Sequence, residues 1–157
     1  MKFFERCMFS VIGTLALTLA LVTGVAADGV ADKITVNDPY IRAVPPVVKT
    51  SAAFMQFQNS DAVEQFLVSA STPAAAAVEL HMHTADDGVM RMRQIAHVHL
   101  PPNKTVSLQP GGLHIMLFDL TAPLNVGDQV PITLTFEDGS TKEISAEVRS
   151  VKSMMKH

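Results

Sequence analysis

The chain has 157 residues, 48% of them hydrophobic and 17% charged, with a net charge of −3 and no basic patch to attract nucleic acid. Its length suits one domain with a core of its own. The single cysteine, Cys7, lies near the start, so the rest of the chain has no thiol and no disulfide. That excludes cysteine nucleophiles, iron–sulfur clusters, Cys-based zinc sites and thiolate copper centres.

Residues 1–27 read as a secretory signal peptide. Lys2 and Arg6 precede an uncharged apolar run over residues 9–25, and Val25-Ala26-Ala27 supplies small residues for cleavage before Asp28. The alternative is a retained membrane anchor, since the run approaches the length of a bilayer span. Cys7 precedes the apolar run, so it is not placed for lipid attachment. Cleavage would remove Lys2, Arg6 and Glu5 and leave 10 Lys+Arg against 14 Asp+Glu, a net charge of −4. The expected location is the periplasm, with no membrane attachment after cleavage and with the protein a monomer.

Residues 28–150 read as one all-β domain. Candidate strands, in order, are residues 33–38, 52–59, 64–71, 76–83, 89–95, 97–100, 105–109, 114–120, 129–137 and 141–149. Most are short, rich in β-branched or apolar residues, and bounded by Gly, Pro, Asn or Asp. Ile132, Leu134 and Phe136 alternate with Thr133 and Thr135, the pattern of a half-buried antiparallel strand. The one segment with helical character is TPAAAAVEL, residues 72–80, which is alanine-rich but short. Regular short strands predict a Greek-key sandwich or barrel. A tail, residues 151–157, carries Met154, Met155 and His157. Its end is expected to fray.

Five histidines and four methionines fall between residues 81 and 116. Side chains alternate between strand faces. His81 and His83 therefore share a face, as do Met90 and Met92, and as do His114 and Met116. A hairpin turn at Asp86-Asp87-Gly88 folds the first two pairs together. With Asp86-Asp87 central, His81 faces Met92; with Asp87-Gly88 central, His83 faces Met92 and His81 lies on the diagonal. Both registers put all four side chains on one face, with cross-strand Cβ atoms roughly 5 Å apart. Thioether adds little for zinc, calcium or magnesium and much for Cu(I), while imidazole suits copper in both oxidation states. Such a cluster without cysteine reads as a Cu(I) site of low coordination number. Taken singly, Met116 would be an ordinary core methionine and each histidine an ordinary polar residue.

The order His81, ten residues, Met92, twenty-one residues, His114, one residue, Met116 resembles the motif of the periplasmic copper chaperones of the PCu(A)C type. The surrounding segments VELHMH, DDGVMRMR, LQPGGLHIMLFDL and GDQVPITLTFEDG resemble that family too, and the likeness runs from about residue 33 to 149. It implies a cupredoxin-like fold with His81, Met92, His114 and Met116 as Cu(I) ligands at a shallow site. It also implies delivery of copper to cytochrome c oxidase, to its copper-bearing subunit or its assembly factors. His83 and Met90 lie on the ligand face outside the motif and are accessory candidates. His97 and His99 form another same-face pair, either an exposed edge strand or a second, weak Cu(II) site. Arg91 and Arg93 read as solvated strand positions, the alternative being a contact face for an acidic partner. Longer Met/His-rich tails take part in copper binding in some members of the family that the chain resembles, which is the alternative to fraying for the short tail with Met154, Met155 and His157. The competing functions are copper sequestration without delivery and a metal-free structural or adhesion sandwich. No nucleophilic triad, carboxylate pair or nucleotide loop points to an enzyme.

Overall fold

Ile132, Leu134 and Phe136 form the buried row of a strand in the computed structural model, which describes residues 29–150. The expected signal peptide, residues 1–27, and the tail bearing Met154, Met155 and His157 lie outside the described residues. A single helical turn, α1 (Val30–Lys33), precedes ten strands: β1 (Ile34–Arg42), β2 (Thr50–Asn59), β3 (Gln65–Ser71), β4 (Ala75–Asp86), β5 (Val89–Gln94), β6 (Val98–Leu100), β7 (Thr105–Leu108), β8 (Leu113–Leu120), β9 (Gln129–Phe136) and β10 (Thr141–Arg149).

Every candidate strand is present. Residues 72–80 are not helical: β4 begins at Ala75 and runs twelve residues. Its backbone groups pair with β8 from Ala75↔Leu120 to Met82↔Leu113, and that pairing outweighs the local alanine preference. Lys33, expected at the start of a strand, instead closes α1.

The strands form one continuous ladder, β5-β4-β8-β7-β2-β1-β10-β9-β3-β6, in which β8 also pairs with β2. Its halves curl over one another, since one hydrophobic core takes residues from both. Leu80, Ile115 and Leu117 come from one half, with Met55 and Phe57 of β2. Leu67, Ile132, Leu134 and Phe136 come from the other. Alternation then dictates that His81, His114 and Met116, adjacent to those core residues in sequence, point to the opposite face. The candidate site is thus fixed from behind by the core.

Candidate metal centre

The β4–β5 hairpin turns at Asp87 and Gly88, with φ of 51° and 78°. Two left-handed residues are what a two-residue hairpin loop demands. They set the register in which His83 opposes Met92, His81 opposes Gln94, and Ala85 opposes Met90. On the other edge of β4, His81 opposes His114 and Glu79 opposes Met116. Directly opposed residues share a face. One face therefore carries His81, His83, Met90, Met92, His114 and Met116, drawn from three neighbouring strands. The His114 ring lies 4.9 Å from that of His83 and 5.9 Å from that of His81, centre to centre.

Hydrogen bonds fix which nitrogens are available. The Nδ1–H of His114 donates to the carbonyl of Gly112 at 3.0 Å. That oxygen can only accept, so the lone pair of His114 sits on Nε2, which is buried without a partner. The His81 Nε2–H donates to the Glu79 carboxylate at 2.7 Å, leaving its buried Nδ1 without a partner. The Nδ1 of His83 is likewise buried and unpartnered. A buried imidazole nitrogen left unpaired costs on the order of 1–3 kcal/mol. Three ring nitrogens on this face thus have no protein partner, and for His114 and His81 a carbonyl or carboxylate holds the other nitrogen, the usual support for a metal-binding histidine.

His114 is only 2% exposed. Burial, together with the neighbouring His83, His81 and Arg42, holds its pKa below the ordinary histidine value, although the bond to Gly112 works the other way. The neutral form needed for coordination is thereby favoured.

A cleft of about 270 Å³ opens over this face. His83, Met92, His114 and Met116 line it, together with Arg42, Val44 and Phe54. No carboxylate enters it, which disfavours calcium and magnesium. Among the described residues, no three His, Cys, Asp or Glu side chains are gathered closely enough to hold one ion. The thioethers of Met92 and Met116 stand beside the imidazoles in this cleft, and a donor set of imidazole and thioether would suit a soft cation. Met92 is 54% exposed and Met90, at the hairpin tip, 57%, so the methionines of β5 face solvent, whereas Met116 is half-buried.

Residues 34–148 match the model of the LpqE-like family, described as "Putative lipoprotein LpqE-like". The chain belongs to the LpqE-like family. It is 32% identical over 120 residues to "Putative lipoprotein Lxx21020" of Leifsonia xyli subsp. xyli, covering 76% of this chain and 71% of that one. It is also 32% identical over 102 residues to "Uncharacterized protein RP573" of Rickettsia prowazekii, covering 64% of this chain and 56% of that protein. Among solved structures, the Cu(I) form of DR1885 from Deinococcus radiodurans is 34% identical with a TM-score of 0.62, over 83% of this chain and 85% of that one. The copper-bound PCuAC domain from PmoF2 is 25% identical with a TM-score of 0.65, over 75% of this chain and 93% of that one. The fold of this LpqE-like chain is all-β and cupredoxin-like, as in those domains.

His97 and His99 do not join the cleft of this LpqE-like domain. β6 ends the ladder opposite to β5. There His97 meets the Phe66 ring edge-on at 4.9 Å, His99 stacks on it at 5.1 Å, and His99 bonds Glu64 at 2.8 Å. Arg93 reaches Asp86 at 3.0 Å across the hairpin, and both are well exposed. Sequence reading missed Glu79, Gly112, Arg42 and Phe54. Glu79 was detectable, because it lies two residues before His81 on the same strand face. Arg42 and Phe54 arrive through long-range pairing, which leaves no local mark.

Proposed function

We propose that the protein is an exported copper chaperone. It carries one Cu(I) on His81, Met92, His114 and Met116, with His83 and Met90 as accessory donors. It works in the periplasm and passes the metal to the copper-bearing subunit of cytochrome c oxidase or to that subunit's assembly factors. The observation that carries this reading is the row of unpartnered imidazole nitrogens facing thioether side chains on one sheet face. The likeness to Cu(I)-bound DR1885 and to the copper-bound PmoF2 domain supports copper as the cargo. The uncharged segment 9–25 with its small-residue end, and kinship with a protein named as a lipoprotein, support export.

Transfer suits this chemistry. Thioethers are neutral, weak ligands, so an incoming ligand displaces them one at a time without a proton having to move. The exposure of Met92 favours delivery over sequestration, since a storage site gains from enclosing its metal.

Anaerobic titration of the purified protein with Cu(I) against a competing chelator tests the site. One equivalent should bind tightly. Met92→Leu and His114→Ala should each weaken binding by at least about tenfold, with the larger loss at His114. If neither variant weakens it, the ligand assignment is wrong. Mixing the copper-loaded protein with the copper-free oxidase subunit domain tests delivery: copper remaining on the chaperone would favour sequestration.

A further inference from the structure

The cleft holds one imidazole more than a two-histidine, two-methionine site requires. His83 directly opposes Met92, whereas His81 opposes Gln94. The ring of His83 is the nearer of the two to that of His114, and its buried Nδ1 has no partner. The Gly112 carbonyl that holds the His114 ring also accepts the backbone N–H of His83 at 3.2 Å, tying both residues to one point. His83 lines the cleft with Met92, His114 and Met116. His81 does not line it; its ring is held by Glu79 and lies 6.0 Å from the ring of Phe118.

The geometry points to His83 as an interchangeable copper ligand: His81 and His83 alternate as the second imidazole beside His114, Met92 and Met116. This rests on the copper-binding reading above and assigns within it a residue the spacing motif leaves out. The two imidazoles alternate rather than add, because no three histidine or acidic side chains among the described residues converge on one point. The inner arrangement, through His81, is braced by Glu79. The outer one, through His83, lies beside the exposed side chain of Met92. Moving from inner to outer exchanges one nitrogen for another while three ligands stay in place, so the metal shifts toward the cleft mouth without passing through a poorly coordinated state.

The test is a double-mutant cycle in Cu(I) affinity, with X-ray absorption to count nitrogen and sulfur donors. Interchange predicts non-additive losses. His81→Ala and His83→Ala should each keep one equivalent of Cu(I) with affinity within about tenfold of wild type, and each should retain two nitrogen and two sulfur donors. The double variant should drop to one nitrogen and lose on the order of a hundredfold or more. Gln in place of Ala serves where a variant folds poorly by circular dichroism. The proposal is overturned if His81→Ala alone loses as much as the double variant while His83→Ala matches wild type. It is overturned equally if the two single losses merely add. Wild-type protein that takes up no Cu(I) would remove the copper reading itself, a result distinct from either.

Discussion

The Gly112 carbonyl holds His114 in the tautomer that leaves Nε2 bare, and burial keeps that ring neutral. The depressed pKa has a sign that can be followed into stability. Above the ordinary histidine value of about 6.5, His114 is neutral in both folded and unfolded chains and adds no pH dependence. Below it, the unfolded chain takes up a proton that the folded chain resists. Stability of the metal-free protein is therefore lost as pH falls from about 6.5 toward the lowered folded pKa, and levels off beneath that. His114→Asn keeps a donor for Gly112 but cannot titrate. Urea unfolding between pH 7.5 and 5 should show a shallower decline in this variant than in wild type. Superimposable pH profiles would mean that His114 titrates alike in both states.

At the scale of elements, the β4–β5 hairpin decides which side chains meet. Gly88 has a φ of 78°, and a Cβ placed there would meet nothing within 4 Å. Gly88→Ala thus introduces backbone strain without a clash, at a cost of about 1 kcal/mol. Chemical denaturation should register that loss, and Cu(I) affinity should fall by less than tenfold, as the arm bearing Met92 frays against His83. An unchanged midpoint would mean the turn relaxes elsewhere. The same hairpin marks how far sequence reading reaches. Parity alone put His81, His83, Met90 and Met92 on one face, because a two-residue period survives any even shift of register. The choice between the two candidate turns was also open to inference, since Asp-Gly suits the two left-handed positions of a two-residue loop better than Asp-Asp. What parity could not give was the β4–β8 register that sets His81 opposite His114, or the closeness of His83 to the cleft. Those depend on pairings between segments some thirty residues apart, and no local pattern encodes them. The ten strands were legible because most are short and punctuated. The alanine-rich start of β4 was the ambiguous one, because its extended state comes from its neighbour β8 and not from its composition.

At the scale of the molecule, site and core occupy opposite faces of the same strands. In β8, Ile115 and Leu117 are fully buried while His114 and Met116 face the cleft. The side chains of the main core cluster are therefore not those that line the cleft, and their contributions can be tested apart. Leu117→Ala removes a fully buried side chain and should destabilise the metal-free protein by about 2–5 kcal/mol. A ligand that binds only the folded state adds a stabilisation set by its concentration relative to its dissociation constant, and not by the core's own stability. If the β8 backbone stays paired to β4 and β2 on either side, the ligands keep their positions. Saturating Cu(I) should then add the same free energy of unfolding to Leu117→Ala as to wild type, read from denaturant unfolding with and without the metal. His114→Ala should show the converse pattern, a much smaller gain on adding Cu(I). A gain that shrinks in Leu117→Ala as it does in His114→Ala would show that the cavity behind β8 displaces the ligands. The core would then be setting the geometry of the site as well as supporting it.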